Sequence, residues 1–129
     1  MINMTGAHQR LIEAAKNAAL SAYCPYSDFP VGAAILSSDD EVFCGCNIEN
    51  VSFPCGVCAE QSALSAAILK KKKKFLAIAI YSKTGATPCG KCRQLLSEFG
   101  DMWIICADYD GNVKSYTLSK LLPDSFHKI

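Results

Sequence analysis

An excess of charge of either sign is what this chain most plainly lacks: 13 basic side chains stand against 12 acidic ones in 129 residues, a formal net charge of +1. Such a balance creates no field that would gather nucleic acid or an anionic membrane surface, and a polynucleotide binder of this size carries a clearer basic surplus. A small-molecule ligand is expected, with no nucleic-acid partner. Long apolar runs are missing too. None approaches the roughly 20 residues needed to span a bilayer, so no membrane partner is expected. The polar stretch Met1 to Arg10 has no apolar centre of the kind a signal peptide requires, and a cytoplasmic location follows as an expectation. Internal repeats and Pro/Gly/Ser-rich linkers are absent, which makes residues 1–129 a single domain.

Half of the residues are hydrophobic, enough to bury one core without disulfides. The eight cysteines therefore read as reduced thiols, some of them metal ligands, rather than as the framework of a secreted miniprotein.

Apolar spacing predicts a first helix from about Ala7 to Tyr23, through Leu11, Ile12, Ala15, Ala18, Ala19 and Ala22, with Thr5 as its cap. Val31 to Leu36 and Glu41 to Asn47 read as strands, and the short polar joint Ser37 to Asp40 makes them an antiparallel hairpin. A second helix is expected from Cys58 to about Leu69. Phe75 to Tyr81 and Met102 to Ala107 are nearly continuous apolar runs, as strands covered on both faces are. Between them Cys89 to Phe99 is helical, closed by Gly100. A last strand, Val113 to Tyr116, and a short helix, Thr117 to Leu122, complete the chain. The fold class is α/β: a mixed sheet with helices on both faces. The Lys70 to Lys74 run reads as the solvated end of the second helix, where lysines suit the negative end of its dipole.

Two C-x-x-C pairs stand out, Cys55/Cys58 and Cys89/Cys92. Four sulfurs could close a structural zinc site, but such ribbons separate their pairs by about 15–20 residues on loops, whereas here a helix and a buried strand intervene. A redox dithiol at Cys89-Gly90-Lys91-Cys92 is the second reading. The third is a catalytic zinc on Cys58, Cys89 and Cys92 with the fourth position open to water. Glu60 favours the third. Zinc deaminases share a His- or Cys-x-Glu segment followed by Pro-Cys-x-x-Cys, and this chain reads Cys58-Ala59-Glu60, then Pro88-Cys89-Gly90-Lys91-Cys92. Ligands on the first turns of two helices gain from free N–H groups that stabilise thiolates. A carboxylate two residues after the first ligand can stand beside the metal and carry protons. Cys24, Cys44, Cys46 and Cys106, in or beside apolar strands, are expected to be small core side chains; Cys55 is expected to be a non-ligand near the site.

The sequence resembles the small cytidine deaminases, the homotetrameric kind with three-cysteine zinc. The likeness spans nearly the whole chain, through Cys24-Pro25-Tyr26-Ser27-x-Phe29-x-Val31-Gly32-Ala33-Ala34, Asn47-Ile48-Glu49-Asn50, the two zinc motifs with Arg93-Gln94, and Leu121-Leu122-Pro123-x-Ser125-Phe126. It implies a three-layer α/β/α sandwich with a mixed five-stranded sheet, and hydrolytic deamination of cytidine and 2′-deoxycytidine in pyrimidine salvage. It also implies one Zn²⁺ per subunit and a homotetramer with sites shared between subunits. Position by position, it implies that Asn47 and Glu49 hold the ribose hydroxyls, Phe29 packs on the pyrimidine, and Phe126 reaches a neighbour's site. Ala59 would offer backbone groups to the base, and Glu60 would protonate the ring nitrogen.

Two departures from the family pattern matter. Arg usually follows the catalytic glutamate and hydrogen-bonds the cysteine sulfurs; here Gln61 stands. Three thiolates and Zn²⁺ sum to about −1, which opposes hydroxide formation unless donors compensate, so Gln61 NH₂ and Arg93 are expected to assist. Phe53 replaces a common Tyr, keeping an apolar contact and losing a hydroxyl. Rival functions share parts of the pattern: a deaminase of a cytosine-bearing nucleoside antibiotic, a polynucleotide editor, and a non-enzymatic zinc protein.

Overall fold

The computed structural model describes residues 5–128. Helix α1 (Thr5–Ala19) leads into the strands β1 (Gly32–Ser37) and β2 (Val42–Cys46). A single 3₁₀ turn (Phe53–Cys55), helix α2 (Ala59–Leu69) and strand β3 (Phe75–Tyr81) follow. Helix α3 (Gly90–Ser97), strands β4 (Trp103–Ala107) and β5 (Val113–Thr117), and the short helix α4 (Leu118–Leu121) complete the chain. Thr5 opens α1, but its side chain, the expected cap, lies outside the described residues.

Among the described residues, five strands form one mixed sheet in the order β2-β1-β3-β4-β5. β1 runs antiparallel to both β2 and β3, β3 and β4 are parallel, and β5 returns antiparallel. Strand alternation sorts the side chains between two cores. Ala34, Leu36, Ala77, Ala79 and Ile105 pack with Leu11 and Ala15 of α1 on one face. Ala33, Ile35, Ile78, Ile80, Ile104 and Cys106 pack with α2 and Leu96 of α3 on the other. Both faces are covered over β3 and β4, which is why those two strands are apolar at successive positions. Each fully buried Ile contributes roughly 1.5–3 kcal/mol.

Two glycines set how closely the helices lie on the sheet. A Cβ on Gly32 would stand 1.9 Å from the Ala15 carbonyl oxygen of α1, and one on Gly45 would stand 2.3 Å from the Ala63 nitrogen of α2. The second contact fixes the height of α2, and so of the residues on its first turn.

The expected elements are present, with shifted ends. Helix α1 stops at Ala19 rather than Tyr23 because Leu20, Ser21 and Ala22 donate to carbonyls three residues back, tightening the last turn. Tyr23 then leaves to pair with Asn47 and Glu49, its N–H donating to the Asn47 oxygen at 3.0 Å. A tertiary bond overrides local helix preference here. The cysteine expectation needs correcting. Cys106 is buried, but Cys46 is only partly covered and Cys44 is exposed, because their strand β2 is an edge strand that α1 covers incompletely, and Cys24 is only partly covered on the loop between α1 and β1. In the lysine run, Lys72 bonds Asp39 at 2.6 Å and Glu41 at 2.8 Å, while Lys70, Lys71, Lys73 and Lys74 are exposed. No described helix is long and apolar enough to cross a membrane.

Candidate active site

The helices α2 and α3 begin side by side, each with a cysteine in the flanking position: Cys58 before Ala59, and Cys89 before Gly90. Both cysteines have extended backbone, which is what a capping residue needs. Cys92 lies one turn into α3. The sulfurs of Cys58, Cys89 and Cys92 all stand within 4.8 Å of one another. Thiolates about 2.3 Å from a tetrahedral zinc ion are roughly 3.8 Å apart, so the cluster accepts one such ion with small side-chain shifts. Soft sulfur donors in a triad suit zinc and leave one of its four positions free. Among the described residues the group of possible ligands has these three members, and neither Glu60 nor Cys55 belongs to it.

Mutual hydrogen bonding polarises the thiols. A bond from Cys92 draws Cys58 down to about 6, with Cys89 and the nearby Lys91 cation helping against burial. The same bond, with burial, pushes Cys92 upward. A cluster that holds one thiolate at neutral pH is already part-way to metal binding, since ligation requires the sulfurs to lose their protons.

Glu60, the second residue of α2, is 5% exposed. Burial pushes its carboxyl up to about 7, and the neighbouring Cys58 adds to the rise. A carboxyl poised near neutrality can both accept and release a proton. It lines a cavity of about 330 Å³ with Cys58 and Ala59, within the size range of small-molecule sites.

Asn47, Glu49 and Phe53 also line that cavity. Asn47 accepts from the Val31 N–H at 2.9 Å and donates to the Phe29 carbonyl at 3.0 Å. Glu49 accepts from the N–H groups of Tyr26 and Ser27 and from the Ser27 hydroxyl, and the hydroxyl bond leads the causes that hold its carboxyl below the usual range. Both side chains thus grip the loop that precedes β1. A carboxylate offers about four acceptor sites, so Glu49 retains capacity for a ligand. Phe53 is 75% exposed at the mouth, edge-on to Tyr26.

Phe29 and Phe126 stand apart from this group. Phe29 is not among the described cavity-lining residues; its carbonyl supports Asn47. Phe126 is 82% exposed, held by its backbone between the two ends of the Gln94 amide at 2.8 and 3.1 Å. Arg93 does not reach the sulfurs with the bonds it makes. It donates to the Pro88 carbonyl, the Leu121 carbonyl and the Thr87 hydroxyl, pinning the segment that leads into Cys89. The cation acting on Cys58 is Lys91.

Several cavity residues escaped the sequence reading, among them Val31, Val57, Ile80, Ser82 and Thr87. Ser82, a polar residue directly after an apolar strand, is fully buried, and its hydroxyl accepts from the Ala86 N–H to turn the chain toward Pro88.

This arrangement defines a class, a zinc-dependent deaminase with the metal at paired helix N-termini. A model of the cytidine and deoxycytidylate deaminase zinc-binding region matches residues 5–108, and the chain belongs to that family. It is 40% identical over 124 residues to a cytidine deaminase of Sporosarcina psychrophila, covering 93% of this chain and 91% of that one. The crystal structure of cytidine deaminase from Burkholderia pseudomallei matches with a TM-score of 0.88 at 42% identity, covering 92% and 98% of the two chains. That from Mycobacterium tuberculosis matches at 0.78 and 36%, covering 93% and 97%. The family's zinc-binding region and the sulfur triad agree on one zinc ion per chain.

Proposed function

We propose that this chain catalyses the hydrolytic deamination of cytidine, and of 2′-deoxycytidine, to the uracil nucleoside and ammonia. The observation that carries the reading is the buried Glu60 carboxyl, raised to about 7, on the turn beside three convergent sulfurs in a nucleoside-sized cavity. Cys58, Cys89 and Cys92 would hold the zinc ion, which when bound would make water acidic enough to attack at neutral pH. Glu60 would take one proton from the attacking water and deliver it to N3 of the cytosine as C4 is attacked, and would then move the proton of the hydroxyl added at C4 to the departing amino group, so that the C–N bond breaks to ammonia as the C4 carbonyl forms. Ala59 presents its backbone to the base. The two helix N-termini favour the negative charge that develops near them. Asn47 and Glu49 take the sugar hydroxyls, and Phe53 provides an apolar wall.

The acting form in this reading is a homotetramer of single-domain subunits in the cytoplasm. Val51 (78% exposed), Phe53 and Phe126 are large apolar side chains left open in one chain, which suits a contact between copies. Phe126, presented by its backbone clasp, is the ring offered to a neighbour's cavity. A chain that is monomeric at micromolar concentration yet fully active would remove the tetramer.

Ultraviolet monitoring of cytidine turnover, with zinc measured on the same sample, tests the activity. About one zinc per chain and steady conversion are expected. Full activity in metal-free protein, or zinc-loaded protein inert toward cytidine and deoxycytidine, overturns it.

A further inference from the structure

The first turn of α2 holds three consecutive tasks within four residues: Cys58 as ligand, Glu60 as proton carrier, and Gln61 beside them. Gln61 does not work as an amide donor to sulfur in this structure. Its side-chain oxygen accepts from the Cys58 N–H at 3.1 Å, while the Cys58 side chain faces the Gln61 backbone N–H, making a reciprocal capping box. We propose that Gln61 is a positioning residue, which orients the Cys58 sulfur and the Glu60 carboxyl through the Cys58 amide and not by supplying charge to the zinc centre.

The physical argument runs through the orphan groups of a helix end. The first N–H groups of a helix have no partner inside it. Cys58 carries its own N–H just outside the helix, and its rotation about the backbone decides where the sulfur points. An acceptor on that N–H holds Cys58 extended at φ −76° and ψ 155°, and so holds the sulfur toward Cys89 and Cys92. Ala59 and Glu60 lie between the two bonded residues and are fixed with them. A longer cation in place of Gln61 would bring charge but no acceptor.

The same site in α3 shows what the box replaces. Counting from each flanking cysteine, the third helical residue is Gln61 in α2 and Cys92 in α3. In α2 that position gives the flanking cysteine's N–H an acceptor; in α3 it gives the cluster a further sulfur.

The inference rests on the zinc reading of the three sulfurs, so its test separates capping from metal chemistry. Hydrogen exchange at the Cys58 amide in the zinc-loaded enzyme, compared among variants at equal zinc content, reads the box. Protection there is expected; free exchange overturns the proposal even if every variant folds badly. Gln61→Met removes the acceptor at similar volume and should speed Cys58 exchange about tenfold, the scale of a lost cap. Gln61→Glu restores an acceptor and should return exchange to the wild-type range. Cobalt(II) replacing zinc then reports thiolate geometry through its visible spectrum: the Met variant and Gln61→Arg should both shift it, and the Glu variant should restore it. A spectrum unchanged in Gln61→Met, or an Arg variant that keeps the wild-type spectrum and holds metal more tightly while the Glu variant loses it, assigns Gln61 to charge and overturns positioning.

Discussion

The two helix ends that meet at the metal site are built to one plan with opposite particulars. After Cys58 comes Ala59-Glu60-Gln61; after Cys89 comes Gly90-Lys91-Cys92. The second position is a buried carboxyl in α2 and an exposed ammonium in α3. Beneath α2 lies Gly45, with backbone close enough to admit no side chain. Gly90 has open space around it. The α2 end is thus pressed onto the sheet and holds the group that must be placed accurately, whereas the α3 end is looser and is held from its flank by Arg93. Chemistry that depends on a proton's position belongs on the more constrained turn.

Exchanging the second residues breaks this comparison most sharply. Glu60→Gln keeps shape and hydrogen-bonding size but cannot carry a proton. Turnover should fall roughly a hundredfold to ten-thousandfold with zinc content unchanged, by metal analysis of the same sample. Lys91→Gln, at the matching place in α3, should leave turnover within about threefold, because an exposed charge acts weakly through water. A Glu60→Gln enzyme with full turnover would end the assignment of proton transfer to this residue.

The glycines give the next effect. Gly45→Ala forces a methyl against the Ala63 nitrogen and must lift α2, at a cost of about 2–3 kcal/mol. Gly90→Ala meets nothing within 4 Å and should be neutral or stabilising by less than about 1 kcal/mol. Denaturant midpoints of the pair decide it. Equal losses would show that α2 is not seated more tightly than α3.

Much of this was legible from residues because it follows from periodicity or motif. Strands such as Phe75–Tyr81 are apolar at successive positions, and only a sheet covered on both sides asks for that. Cys58-Ala59-Glu60 with Pro88-Cys89-Gly90-Lys91-Cys92 named the site directly. The remainder depends on contacts between distant segments. Nothing near Ala22 says that Tyr23 will abandon the helix for Asn47, and nothing near Cys44 says that its strand lies at the sheet edge. Arg93, one residue past a ligand, invited a role at the sulfurs. Its partners are carbonyls at Pro88 and Leu121 that only folding brings together. The same holds for Thr87 and Ser82, which reach the cavity because the chain turns between β3 and α3.

Arg93 supplies a test of the looser end. Its planar fork meets two carbonyls and a hydroxyl at 2.8 to 3.0 Å. Arg93→Lys keeps the charge and cannot satisfy all three, so stability should drop by about 1–3 kcal/mol. Zinc should dissociate faster to a competing chelator, since Pro88 leads directly into Cys89. Unchanged dissociation would mean that the metal, not the fork, holds that segment.

The smallest effect is expected far from both helix starts, at the turn between β1 and β2, and it controls for charge changes that miss the site. Lys72 bonds Asp39 and Glu41 there. Its bond, with that of Ser37, holds the Asp39 carboxyl below its usual range; Asp39 and then Glu41 raise the lysine above its own. The signs work in opposite pH directions. A depressed carboxyl stabilises the fold above its unfolded value, about 3.9, and loses that contribution as pH falls through the folded value. A raised ammonium stabilises below about 10.4 and loses that contribution as pH rises through its higher folded value. Lys72→Met should therefore be slightly less stable than wild type across the neutral range, with the difference fading at both acid and alkaline extremes and shrinking in salt. Turnover at neutral pH should not change. A difference that persists below the folded value of Asp39 would assign it to lost packing of the lysine stem and not to the ion pair.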